Sequence, residues 1–167
     1  MEWVAISGSW RTVDAAVEKD VRAEVAEIVR AGNGIVTGGA LGVDYIATDE
    51  ALKTDPSARS LKIILPTSLT DYANHFFRRA GEGVITQAQA HELVKQLTAV
   101  KNANPASLVE MDYTACNQES YYARNGKVIE AADRLLAFQV NDSAGTQDAI
   151  DKAKERGIAV SHRKYSI

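Results

Sequence analysis

Gly34-Ile35-Val36-Thr37-Gly38-Gly39-Ala40-Leu41-Gly42-Val43-Asp44 passes from a short β-branched run into three glycines within five positions, then into a helical pattern near Asp44. The run Gly34–Thr37 predicts a buried strand, and the glycines predict a tight turn feeding a helix that extends from about Asp44 to Lys53. Glycine supplies positive φ there and leaves backbone N–H groups uncovered. The helix start behind the turn carries about half a positive charge, so the element as a whole is suited to an anion. Asp44 has two open roles: cap of that helix, which is the plainer one, or acceptor for a sugar hydroxyl.

Upstream, Trp3–Ser7 reads as a first strand that ends at Gly8. A helical stripe from Thr12 carries Val13, Val17, Val21, Val25, Ile28 and Val29, with Thr12 or Asp14 as cap and Gly32 past its end. Downstream, Leu61–Leu65 is a third strand stopped by Pro66, followed by helical stretches at Tyr72–Ala80 and Thr86–Val100. Asn102–Glu119 shows no useful period and reads mostly as loop. Helical character returns at Tyr121–Ala132, Leu135–Val140 is a fourth strand, Thr146–Arg156 a helix closed by Gly157, and Ile158–Ser161 a last strand. Short apolar strands alternating with amphipathic helices predict an α/β domain, a three-layer α/β/α sandwich around a mostly parallel sheet. Residues 1–167 read as one such domain, with a helical and loop insertion at about 81–119. In open sheets of this kind ligands bind beyond the carboxyl ends of the strands, where strand order reverses.

The 167 residues carry a net charge of −3, 46% of them are apolar, and a single cysteine excludes an intrachain disulfide. That charge provides no general field for polyanions, so nucleic-acid binding is disfavoured unless a local basic patch exists. No apolar run approaches the roughly 18 residues of a membrane helix, and no leader precedes the first strand. A cytoplasmic, reduced setting without membrane attachment is the expectation.

Three further segments fall at the same predicted sheet edge. In Ser7-Gly8-Ser9-Trp10-Arg11, Gly8 lets a ligand approach the backbone, while Ser9 and Arg11 are phosphate donors or, on the plain reading, turn and surface residues. In Asn141-Asp142-Ser143-Ala144-Gly145-Thr146, Ser143 and Thr146 either cap the following helix or join the Gly145 and Thr146 amides around a phosphate. Tyr121-Tyr122-Ala123-Arg124-Asn125, placed ahead of a helix, offers a partly exposed arginine fit for bidentate phosphate contact or for a surface ion pair.

The segments IVTGGALGVDYIATDEAL, IILPTSLTDYANHF, YYARNGKVIEAADRLLAF and SAGTQDAIDKAKERGIAV, after a strand ending in SGS, together resemble the SLOG superfamily. That group of Rossmann-like domains includes DNA-processing protein A (DprA) and the LOG phosphoribohydrolases. The resemblance covers most of the chain apart from roughly 81–119. On the DprA side, Gly38 or Gly39, Ala40, Gly42, Asp44, Ala47, Ala51 and Leu52 fit the glycine-rich element, but Leu41 and Thr48 replace its arginine and histidine. Arg124-Asn125 are retained, and Gly126 stands in place of a second arginine. On the LOG side, Gly145-Thr146 and Arg124 fit, while the catalytic glutamate position is Ala149. Asp148 lies one residue away, a rotation of about 100° on a helix.

The resemblance implies a Rossmann-like nucleotide or phosphoribosyl binder, a sensor rather than an enzyme. Gly38, Gly39, Gly42, Gly145 and Thr146 would hold phosphate, Ser9, Arg11 and Arg124 would add donors, and Asp44 or Asn125 would contact sugar or base. A LOG-like nucleoside monophosphate phosphoribohydrolase, with Asp142, Asp148 or Glu119 as substitute carboxylate, is one alternative. A DprA-like module for single-stranded DNA is the other. The expected partners are a nucleotide-like small molecule and a second copy of the chain, as homodimer or higher homo-oligomer, and no cofactor is expected. His75, His91 and His162 are too scattered for a metal site. Cys116 reads as a loop thiol, Trp10 as a core-edge residue with base stacking as its other role, and Phe76–Arg79 as a buried face followed by solvated charge.

Overall fold

The computed structural model describes residues 1–167. Six strands form one sheet: β1 (Trp3–Gly8), β2 (Gly34–Thr37), β3 (Leu61–Leu65), β4 (Leu108–Glu110), β5 (Arg134–Val140) and β6 (Ala159–Tyr165). All neighbours are parallel, in the order β4-β3-β2-β1-β5-β6. The chain thus builds outward from β1 to β4, then returns to lay β5 on the other side of β1. Strand order reverses between β1 and β5, which opens a crevice at their carboxyl ends.

The helices are α1 (Ala15–Arg30), α2 (Val43–Thr54), α3 (Leu69–Gly81), α4 (Gln87–Ala103), α5 (Gln118–Glu130) and α6 (Ala144–Arg156). Alternation along the strands assigns them to faces. Val4, Ile6, Ile35, Ile63, Leu136 and Phe138 pack with residues of α1 to α4, whereas Ala5, Val36, Ile64, Leu135 and Ala137 pack with α5 and α6. Apolar burial on both faces is what a parallel sheet requires, and it explains why strands such as Leu61–Leu65 read as near-continuous apolar runs.

The helix starts are set by local side chains. Asp14 Oδ1 accepts from Val17 N at 2.9 Å, so Asp14 rather than Thr12 caps α1. Thr86 with Gln89, and Asn117 with Ser120, form reciprocal capping boxes on α4 and α5. The Asn117 box starts α5 three residues earlier than the apolar period suggests. The segment expected mostly as loop also contains a short 3-10 turn (Pro105–Ser107) and the edge strand β4. Three residues are too few to show a period. Glu110 of β4 accepts from Leu69 N at 2.7 Å and from Lys101 Nζ at 3.0 Å, which ties this edge to α3 and α4. β6 runs to Tyr165 rather than stopping at Ser161, because Tyr165 donates its hydroxyl to Asp20 at 2.7 Å and Arg163 pairs with Glu24 of α1.

Candidate functional site

The reversal between β1 and β5 holds a cleft of about 630 Å³. Its walls come from the turns after β1, β2 and β5 and from α3 and α5.

The turn after β2 is closed by the protein's own groups. Asp44 is 7% exposed, and its Oδ2 accepts from both Gly38 N and Ala40 N at 3.2 Å. Gly39 N donates to Thr37 Oγ1 at 3.3 Å, and Gly39 O accepts the Tyr72 hydroxyl at 2.9 Å. Asp44 therefore does not stand as an N-cap: its Oδ2 folds back on the loop, and the residue at the cap position is Gly42. Burial pushes its carboxyl above the usual Asp range, opposed by the nearby Arg124 charge and by the two amides.

Gly42 adopts φ +70°, and a Cβ there would stand 2.2 Å from Ser9 O, so this glycine permits the β1 and β2 turns to touch. Val43 N then donates to Ser9 O at 2.9 Å. Gly8 serves a packing need, since its Cβ would meet Val43 Cγ2 at 2.5 Å. Ser9 is buried and its Oγ accepts from Thr12 N at 3.0 Å, which makes it a turn residue although it lines the cleft. Arg11 is exposed and lies outside the cleft, with its guanidinium 5.1 Å from the centre of the Trp10 ring.

Arg124 sits in the middle of α5, not ahead of a helix, and is buried rather than partly exposed. Its Nη1 donates to Gly38 O at 2.5 Å and its Nε to Asn125 Oδ1 at 3.1 Å. Gly38 is a glycine for this reason: a Cβ would lie 2.6 Å from the guanidinium carbon. The third nitrogen, Nη2, has no protein acceptor yet is not a sealed, unsatisfied atom, so it is reachable from the cleft. Asn125 lines the same wall and donates to Asp148 Oδ2 at 3.0 Å.

The turn after β5 differs. Ser143 precedes α6 without accepting a cap bond from it, and its hydroxyl donates to Thr146 Oγ1 at 2.7 Å. The first N–H groups of a helix have no intrahelical acceptor, and here Ser143, Ala144, Gly145 and Thr146 all line the cleft.

The sequence reading missed the aromatic half. Tyr72, His75, Phe76 and Arg79 of α3 recur at helical spacing, and all line the cleft, as do Tyr121 and Tyr122. Within this stripe Tyr72 and Phe76 are buried in the core while bordering the cleft, in line with the buried face expected at Phe76, and His75 and Arg79 are half-buried. The position of the helix directly after β3, at the same sheet edge, is the signal that His75 and Arg79 reach the crevice. Trp10 is 43% exposed at the cleft wall, not a core-edge residue. Cys116 also lines the cleft, half-buried, and burial raises its thiol pKa. The Tyr121 hydroxyl and His75 Nε2 are 3.2 Å apart, and His75 is held below the usual His range by burial and by Arg78 and Arg79. Asp44 is the one carboxylate of the wall; Asp142, Asp148 and Glu119 lie outside it. No group of three or more His, Cys, Asp or Glu is placed to hold a metal ion, and no helix is long and apolar enough to cross a membrane.

The chain is thus an open, doubly wound α/β domain with a mixed aromatic and polar cleft at its switch point. No family model and no curated protein matches it. Among solved structures it is similar to the single-stranded DNA-binding DNA processing protein A from Helicobacter pylori, with TM-score 0.68 and 23% identity over 97% of this chain. The chain spans 66% of that protein. It is also similar to TM1055, a structural-genomics target, with TM-score 0.55 and 15% identity over 96% of this chain and 72% of that one. DNA processing protein A from Streptococcus pneumoniae gives a TM-score of 0.49 at 15% identity, over 96% of this chain and 58% of that one. The likeness to these structures is one of fold, an open α/β sheet with helices on both faces.

Proposed function

We propose that the cleft binds a nucleotide, with its phosphate at the first turn of α6 and its base along the aromatic wall of α3 and α5. The observation that carries this reading is the uncapped α6 turn opening into the cleft beside Arg124. The Gly145 and Thr146 amides and Arg124 Nη2 are donors for a dianion at that end. Hydrogen bonds to a charged group contribute roughly 1.5–3 kcal/mol each, so three of them offset much of the cost of association. Tyr121, Tyr122 and Trp10 supply faces for base stacking, worth about 1–3 kcal/mol per base.

The protein binds without cleaving. Asp44 Oδ2 is engaged with two amides, while Asp148 lies outside the cleft wall, held by Asn125 and by Lys152 at 2.6 Å. A thermal-shift panel is the test: nucleoside phosphates should stabilise by about 2.7 kcal/mol at a hundred times the dissociation constant, and the matching nucleosides should stabilise far less. No shift with any nucleotide at millimolar concentration contradicts the proposal. Release of free base, seen by chromatography and lost in Asp44→Asn, contradicts its non-catalytic part.

A DNA strand is the second reading, favoured by exposed Trp10 at the cleft wall with Arg11 stacked on it. Tighter binding of an oligothymidylate than of any mononucleotide, with a steep salt dependence, would select it.

A further inference from the structure

Asp44 and Ser9 line the main cleft and are only 7% and 6% exposed, yet each keeps one polar group that the protein does not use. Asp44 accepts both of its amide bonds on Oδ2. No donor of the protein reaches Oδ1, which is nonetheless not a sealed atom and so opens on the cleft. Ser9 Oγ accepts from Thr12 N at 3.0 Å and from Arg11 N at 3.4 Å, and its own proton has no acceptor in the protein. The turns that carry the two are joined, since Val43 N, one residue before Asp44, donates to Ser9 O at 2.9 Å. Closing the β2 turn accounts for Oδ2 and asks nothing of Oδ1. A carboxylate oxygen this far from bulk water gains most from a positioned donor.

The chemistry of that donor follows. A phosphate is repelled by the Asp44 carboxylate, whereas one hydroxyl can donate to Oδ1 and a second can accept from Ser9. Position selects a sugar. α6 follows β5, Asp44 follows β2 and α3 follows β3, and the sheet runs in the order β5-β1-β2-β3. Asp44 thus lies between the phosphate turn and the aromatic wall, with β2 two strand spacings, about 10 Å, from β5. A nucleotide has its ribose in the same place, between phosphate and base. Asn125, the other residue expected at the sugar, already accepts from Arg124 Nε and donates to Asp148. We propose that Asp44 Oδ1 and the Ser9 hydroxyl hold the vicinal hydroxyls of a ribose, so that the ligand class is a ribonucleotide and the 2′-deoxy form is rejected. The proposal rests on the nucleotide reading of the cleft and names which nucleotides it takes.

Calorimetric titration tests it with adenosine, guanosine, cytidine and uridine 5′-monophosphates, each against its 2′-deoxy counterpart. For the base that fits, the ribonucleotide is expected to bind at least about tenfold tighter, the worth of one hydrogen bond to a charged group. In Asp44→Asn the two loop amides claim the side-chain oxygen and leave an NH2 group where Oδ1 stood, so the two forms should come within about twofold. Ser9→Ala should narrow the preference as well, which keeps the location testable if Asp44→Asn does not fold. Thr146→Ala, at the phosphate end, should weaken both forms alike and keep their ratio. Equal binding of the two forms by the unmodified protein overturns the ribose contact and leaves the nucleotide reading standing. A full preference in folded Asp44→Asn, or in Ser9→Ala where the former does not fold, overturns the assignment to these residues. Absence of binding by every compound removes the nucleotide reading and the ribose contact with it. Oligothymidylate binding tighter than any ribonucleotide overturns the proposal in favour of a strand.

Discussion

The turns Gly38–Gly42 and Ser143–Thr146 both lead from a parallel strand into a helix at the same edge of the sheet, yet they are opposite in electrostatic state. In the first, the Asp44 carboxylate occupies the amides of Gly38 and Ala40, and Arg124 grips the Gly38 carbonyl. In the second, no side chain accepts from the first turn of α6. Glycine density marks the first turn in the sequence, but its glycines answer to neighbours: Gly42 to Ser9, Gly38 to Arg124, Gly8 to Val43. A glycine-rich turn is an anion site only when no carboxylate of its own chain reaches it. One acidic residue two positions past the last glycine is enough to close it.

The largest expected effects attack the closed turn. Gly42→Ala forces a side chain against Ser9 O in a left-handed conformation and should cost about 3 kcal/mol in urea denaturation. Gly145→Ala has open space around its Cβ and should be neutral or stabilise by up to about 1 kcal/mol. If both substitutions cost the same, the contrast between the turns fails.

Arg124→Ala removes the guanidinium bond to Gly38 O and the charge that opposes the desolvation of Asp44, and should cost about 1.5–3 kcal/mol of stability as well as ligand affinity. Arg124→Lys should recover part of each, since lysine keeps the charge without the fork. A fully stable Arg124→Ala protein contradicts the buried triangle of Gly38, Asp44 and Arg124.

Asp44 also gives a pH signature. Its folded-state pKa lies above the unfolded value, so the native state binds more protons across that window and this contribution to stability falls as pH rises through it. Asp49, Asp55 and Glu110 shift downward and act in the opposite sense. The comparison of wild type with Asp44→Asn isolates the term: from about pH 4 upward, stability should rise with pH more in the variant than in wild type. A flat difference between the two curves sinks this assignment.

The smallest effect tests the open turn. Ser143→Ala and Thr146→Ala should each lower nucleotide affinity by about 0.5–1.5 kcal/mol, the worth of a neutral hydrogen bond, with little change in unfolding midpoint. Loss of stability without loss of affinity would make these hydroxyls structural.

The elements that carry the fold were legible because their signals are local and repeated. The valine stripe of α1 and the apolar runs of β1, β2, β3 and β5 required no tertiary information. β4 was hidden because three residues carry no period, and the end of β6 because its residues are exposed and polar. At the site, the sequence reading brought Ser9, Arg124, Asn125, Ser143, Gly145 and Thr146 to one edge, and all six line the cleft. It set Arg11, Gly39 and Gly42 there too, though Arg11 faces solvent and neither glycine lines the cleft. What no local pattern reveals is which carboxylate meets which amide. Asp44 looks the same in sequence whether it caps a helix, holds a sugar or folds back on Gly38. In α3 the buried face expected at Phe76 is present, but the same spacing does not show that His75 and Arg79 border the cleft.

Amide chemical shifts on addition of a nucleotide test the central claim most directly. A nitrogen–proton correlation spectrum is titrated first with a nucleoside monophosphate that binds, then with its nucleoside. The account predicts that the phosphate moves the Gly145 and Thr146 amides strongly, by more than the nucleoside does, while the Gly38 and Ala40 amides stay close to their free positions because Asp44 already holds them. Large phosphate-dependent shifts at Gly38 and Ala40, with Gly145 and Thr146 unmoved, would contradict it.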